Sequence, residues 1–454
     1  MVFSSITFLC YFLPGFMLAY ALLPCSNAVL LGGSLLFYAW GDLTRLPVLL
    51  ACILLNWSCG VAIAAGRRRA LTLGIVGNLA LLVWFKYAGF LATQLATVAT
   101  ALRLPAVPIP AVTLPLGISF FTFQGISYLI DVHRGTVRAQ PSLFRFAMYK
   151  AMFPPLIAGP IVRYAVIADR VDRRSVTLPA LASGIEAFIC GLGQKVLLAN
   201  SLAGPVDRVF ALPPGQLDPL TAWIGAVGYA LQIYFDFAGY SNMAIGLGRM
   251  LGFELPINFD RPYAAQSVTA FWRRWHITLS TWFRDYVYIP LGGNRGGPAR
   301  TYANLIVVFL LCGFWHGASW NFLAWGLYHG LFLTLERLGL GRVLAAAPAP
   351  LRHAYLVLVV VIGWVPFRTE TLGSAGAMLG AMAGLTAPGA TAAITFPAGF
   401  GLVLATAALL SVWPRGLGRW TPAPLRQGAG IAVLIAAAAS LAAGTYNPFI
   451  YFRF

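Results

Sequence analysis

Two histidines stand where a base could work in an otherwise apolar chain. His316 lies in "CGFWHGASWNFLAWGLYHG", flanked by Gly313 and Gly317 at the junction of two apolar runs. An ionisable side chain at membrane depth is a functional candidate by default, and a neutral imidazole there can take a proton from a hydroxyl. The competing reading is a packing histidine bonded to a neighbouring helix. His276 lies in "FWRRWHITLSTWFRDYVYIPLGGNRGG", which groups Arg273, Arg274, Arg284, Arg295 and Asp285 with three tryptophans. Read as one helix from Ala270 to Pro290, at about 100° per residue, this stretch puts Trp272, Trp275, Leu279, Trp282, Tyr286 and Ile289 on an apolar seam. Arg273, His276, Ser280 and Arg284 share the opposite stripe. Such a helix is too polar to span a bilayer and suits the cytoplasmic interface; the plain alternative is a surface helix whose arginines reach to phosphates.

The remaining histidines say less. His329 falls about 140° round a continuous helix from His316, and His133 and His353 lie in basic loops. Lys86, Asp131, Lys150, Glu186, Lys195, Asp236 and Glu336 fall within apolar surroundings, where pairing between helices is the expected role for most of them. Other chemistries are excluded by pattern: the chain has no HExxH, no P-loop, no GxSxG and no H-x4-D. The six cysteines form no CxxC and no cysteine/histidine cluster, so they read as packing residues, with neither metal nor disulfide expected.

The elements that must position these residues follow from composition. Of 454 residues 59% are hydrophobic and only 10% charged, too apolar for one soluble core, so the chain reads as an all-α polytopic membrane protein. Its Lys and Arg outnumber Asp and Glu by 31 to 13. These basic groups fall at the ends of apolar runs, which fits cytoplasmic loops and the bilayer rather than nucleic acid.

Apolar runs recur near 6–24, 46–65, 70–85, 111–130, 219–238, 302–315, 318–335, 354–367, 396–413 and 428–443. Shorter ones lie near 27–40, 87–101, 143–162, 179–199 and 240–253. At about 17 to 25 residues per crossing they suggest about eleven spans with re-entrant and interfacial helices. No basic residue precedes Arg45, so the first run is expected to be a retained span with the amino terminus outside and "GRRR" at 66–69 in the cytoplasm. The run "YKAMFPPLIAGPIVRY" carries Pro154, Pro155, Gly159 and Pro160 and must be buried against protein or line a wet cavity. A single membrane domain over 1–454 is expected, with a catalytic core near 110–340.

The two histidine stretches together resemble the signature of the membrane-bound O-acyltransferases. Within that family they most resemble the bacterial branch that contains the alginate O-acetylation membrane protein and the D-alanyl transferase of teichoic acid synthesis, and the alginate type more than the D-alanyl type. "LPLGISFFTFQGISYLIDVHRG", "FPPLIAGPIVRY", "YFDFAGYSNMAIGLG" and the closing "NPFIYFRF" extend the likeness over nearly the whole chain. The resemblance implies helices around a central tunnel, with an acyl donor arriving from the cytoplasm and an acceptor from the other side. It places the family's near-invariant histidine on His316, as base or orienter of the acceptor hydroxyl, and the second family histidine on His276. His276 would frame the donor entrance with Arg273, Ser280, Arg284 and Asp285, since an activated donor such as acetyl-CoA is polyanionic. Trp315, Ser319 and Asn321 would be neighbours in the tunnel.

The resemblance further implies a bacterial inner-membrane enzyme acting on an exported polysaccharide. Its partner would be a periplasmic or membrane-anchored acetyltransferase of the SGNH type, and it would bind no resident cofactor. D-alanyl or fatty acyl cargo remains the alternative within the class. A transporter would show an inverted repeat, and none is seen.

Overall fold

The structure is a computed structural model that describes residues 2–385, 394–413, 422–444, 446–447 and 450. It is helical, with no strand among the described residues. Most of "NPFIYFRF" and of the 384–390 loop lies outside them.

Among the described residues six helices are long and apolar enough to cross a membrane: Ser26–Ala64, Arg69–Ala101, Leu178–Ala211, Gly297–His316, Ala349–Arg368 and Pro424–Ala442. Thr7–Leu22, Leu372–Met382 and Phe400–Val412 are shorter apolar helices. Some of the long helices join runs that the apolar profile separates. The runs at 70–85 and 87–101 form one helix, continued through a π turn at Val83–Tyr87, and those at 27–40 and 46–65 are joined by a single 3₁₀ turn at Leu43–Arg45. Lys86 sits inside the π turn without stopping the helix, whereas before Arg45 the backbone leaves the helical region at Asp42, with φ −159° and ψ 75°, and then resumes turning.

The chain folds as two compact units, 1–188 with 243–256, and 189–242 with 257–454. The first is built round the helix Ile118–His133, in which every residue but Ile130 and His133 is buried. Neighbouring helices reach it through small residues. A Cβ on Gly60 would stand 2.5 Å from the Tyr128 ring, and one on Gly125 would stand 2.5 Å from the Asn56 amide. Asn56 and Asn78 donate to one another across two helices at 3.1 and 2.9 Å, a reciprocal pair of the kind that joins helices in lipid. The proline-rich run is buried without exception from Met148 to Val162, as its broken backbone requires. Lys150 within it donates to the Phe121 carbonyl.

The second unit holds both candidate histidines. Gly297–His316 and Trp320–Leu335 form an antiparallel hairpin with a three-residue turn. Its helices touch because Gly313 and Gly326 lack side chains: a Cβ would sit 2.1 Å from the Phe322 carbonyl oxygen in the first case and 2.3 Å from that of Phe309 in the second. Deep in the same unit Lys195 and Asp236 pair at 2.6 Å. Lys195 also donates to the Asn200 amide oxygen at 2.7 Å, and Asp236 accepts the Ile450 N–H at 2.9 Å.

Candidate active site

His316 is the last residue of its helix and is 4% exposed. Its ring is boxed by aromatic edges, with Trp315 at 4.9 Å, Trp325 at 5.2 Å and Phe367 at 5.2 Å between centroids. Trp325, one turn before His329, also lies 5.1 Å from the His329 ring. The hairpin, rather than a continuous helix, brings the two histidines to one tryptophan. Neither nitrogen of His329 has a hydrogen-bond partner among the described residues.

The stretch from Ala270 to Pro290 is not one helix. Val268–Trp272 ends, Ile277–Phe283 begins, and a π turn follows at Arg284–Tyr288. The break falls on His276, which adopts φ 42° and ψ 55°. That left-handed conformation costs a non-glycine residue about 1–2 kcal/mol. It turns His276 off the expected polar stripe into the interior, where it is 1% exposed, while Arg273 and Arg284 remain outside. The apolar seam is buried from Trp272 to Tyr286; Ile289, beyond the π turn, is 55% exposed.

The fold over-determines the strained turn. The Asn258 carbonyl accepts the Ile277 N–H at 2.9 Å, and the Asp260 N–H donates to the Arg274 carbonyl at 2.9 Å. Asn258 Oδ1 lies 3.1 Å from His276 Nδ1 and accepts from the Thr278 hydroxyl at 2.9 Å. Glu336, at the end of the hairpin, anchors the preceding helix. Its carboxylate accepts the Val268 and Thr269 N–H groups at 2.6 and 2.9 Å and the Thr269 hydroxyl at 2.6 Å, and Tyr355 donates to it at 3.2 Å.

His276 and His316 line one cavity of about 90 Å³. Ser280 and Cys312 are its other polar members, and Trp272 and Trp275 are among its apolar walls. Trp315 touches both imidazoles, at 6.1 and 4.9 Å, from outside that lining. Burial holds the His276 ring neutral, lowering its pKa from 6.5 to about 3.

The other expected site residues fall elsewhere. Arg284 and Asp285 engage each other through two contacts at 2.6 and 3.1 Å, so their charges are mutually neutralised at the surface. Asn321 donates to the Thr369 carbonyl at 2.7 Å, tying the hairpin turn to the end of Ala349–Arg368, and Ser319 precedes the second hairpin helix half-buried. Neither lines the cavity. Asn258 and Cys312 were missed: an asparagine in "LPINFDRPY" carries no local signal of the histidine it will hold, and a cysteine in an apolar helix reads as packing.

Residues 70–365 match the membrane-bound O-acyltransferase family. The chain belongs to that family. It is 47% identical over 395 residues to the probable alginate O-acetylase AlgI of Azotobacter vinelandii, covering 84% of this chain and 78% of the relative. The peptidoglycan O-acetyltransferase of Helicobacter pylori is 36% identical over 423 residues, covering 84% and 78%. The teichoic acid D-alanyltransferase of Streptococcus thermophilus is 32% identical over 234 residues, covering 49% and 56%. The chain is therefore an O-acyltransferase of a multi-pass membrane family.

Proposed function

We propose that this O-acyltransferase moves an acetyl group from a cytoplasmic thioester, acetyl-CoA, through the membrane to hydroxyls of an exported polysaccharide, directly or by way of a partner acetyltransferase on the far side. The observation that carries this reading is the cavity that His276 and His316 share. At about 90 Å³ it is smaller than the roughly 150 Å³ that admits a benzene ring. A two-carbon acyl group suits that space.

In this reading the acceptor oxygen attacks the thioester carbonyl while His316 takes the hydroxyl proton. The tetrahedral intermediate then collapses, the C–S bond breaks, and the thiolate leaves with the proton returned from the imidazolium. The largely apolar wall slows hydrolysis of the thioester by excluding water. Acetyl is small and neutral, so only the acyl unit need pass through protein, whereas coenzyme A or a polysaccharide in lipid would cost far more. An inner-membrane location with the amino terminus outside and the 271–297 stretch at the cytoplasmic face is consistent with the arginine-rich loops.

The test incubates the purified chain in nanodiscs with radiolabelled acetyl-CoA, uronate polymer and peptidoglycan, with and without the proteins encoded beside it. Label on a glycan or on a partner supports the reading. Label transferred from a D-alanyl donor and not from acetyl-CoA replaces the cargo, and solute uptake without an acyl donor overturns the reading.

A further inference from the structure

We propose that Asn258 is a positioning residue that fixes His276 as its Nδ1–H tautomer, so that the ring meets the cavity as a hydrogen-bond acceptor at Nε2. The orientation of the Asn258 amide is set by its surroundings. A backbone N–H can only donate, and the Thr278 N–H points to one terminal atom of the amide at 3.3 Å, so that atom is the oxygen. The Thr278 hydroxyl donates to the same oxygen at 2.9 Å, and the amide nitrogen faces Ser241 Oγ at 3.1 Å. His276 Nδ1 lies 3.1 Å from this oxygen.

An amide oxygen only accepts, so Nδ1 must carry the hydrogen. A neutral imidazole has one N–H, and Nε2 therefore carries the lone pair. Burial independently keeps the ring neutral, and the ring packs edge-on to Phe237 at 4.7 Å with Phe259 and Trp315 beyond it. The titratable groups that share its cavity are Cys312 and His316.

The assignment changes what His276 does. Such a ring accepts a hydrogen bond from a hydroxyl or thiol in the cavity. It cannot donate from Nε2 to an oxyanion, and it carries no charge for the phosphates of a coenzyme. The backbone agrees with this specialised use, because the Asn258 carbonyl holds the Ile277 N–H that follows the strained residue. One asparagine thus fixes the position and the protonation of the ring.

The link to turnover rests on the proposed acyl transfer, whereas the tautomer is read without it. Full-length protein in nanodiscs is labelled with ring-¹⁵N histidine, and the His276 signals are assigned by their loss in His276→Gln. We expect a protonated Nδ1 and an unprotonated Nε2 at about neutral pH. Asn258→Asp, whose carboxylate also accepts from Nδ1, keeps this pattern and most of the kcat. Asn258→Leu loses it and lowers kcat roughly 10- to 100-fold, by analogy with the partners that orient metal-ligating histidines, with little change in donor KM.

A protonated Nε2 or a charged ring in the wild type overturns the proposal, as does an Asn258→Leu protein with wild-type kcat. If Asn258→Leu does not fold, the wild-type spectrum and the Asp variant still decide. If no acyl donor is turned over by the wild type, the functional reading falls while the spectra still decide the tautomer.

Discussion

His276 and His316 face one small cavity, although the first sits at a break between two short helices and the second ends a long one. Only one of them stands where the hairpin turn meets the end of Ala349–Arg368, against Phe367. Replacing His316 by alanine removes the proposed base and leaves a smaller apolar side chain in an aromatic box. The expected outcome is a fall in kcat of about 10²- to 10⁴-fold, the range for a general base, in protein that stays monodisperse on gel filtration. Wild-type turnover by such a preparation would end the assignment.

Glu336 acts at a distance through the helix it caps. Glu336→Ala leaves the buried Val268 N–H and the Thr269 donors without their carboxylate, at about 1–3 kcal/mol for each group left unsatisfied. Trp272 and His276 follow directly in the chain, so the thermal midpoint and kcat should fall together. Paired measurements of both on Glu336→Ala and Glu336→Asp check this. An alanine variant that is as stable and as active as the wild type would show that the clamp positions nothing.

Protonation of His276 gives a pH dependence whose sign is fixed. In the unfolded chain the imidazole titrates near 6.5, in the fold at about 3. Below 6.5 the unfolded chain binds a proton that the folded one refuses, so stability is fully present above that pH and declines as pH falls towards 3. The slope is at most about 1.4 kcal/mol per pH unit. His276→Gln removes this titration, so whatever its stability at neutral pH its thermal midpoint should fall less steeply than that of the wild type between pH of about 6.5 and 5. Parallel curves would mean that the ring is not held neutral.

Residue type and spacing made much of this site legible. Glycines flank His316 in the sequence, and in the fold a Cβ on Gly313 would sit 2.1 Å from the Phe322 carbonyl oxygen, so the hairpin helices approach closely there. The prolines of 154–160 demanded burial and have it. The tryptophan seam of 272–286 is buried as its periodicity implied. What failed was continuity. Helical projection assumes regular φ and ψ, and nothing local in "RRWHIT" announces a left-handed residue, because histidine has no intrinsic preference for it on the scale of glycine. The turn is imposed by Asn258, on a separate loop, and such a long-range cause has no local pattern. The same holds for Glu336, whose partners at 268 and 269 are visible only once the chain has folded.

The Lys195–Asp236 pair supplies the last test. Both side chains are about 2–3% exposed, and their mutual contact is 2.6 Å. Desolvation of the two charges is offset by that contact, by the Asn200 amide and by the Ile450 N–H. Asp236→Leu strands a buried ammonium and should destabilise by about 3–5 kcal/mol, whereas Asp236→Leu combined with Lys195→Met removes both charges and should cost much less than the two single changes together. Thermal unfolding of the two single variants and the double variant in one detergent gives the coupling directly. Additive effects would mean that the two charges are not coupled in the membrane-embedded protein.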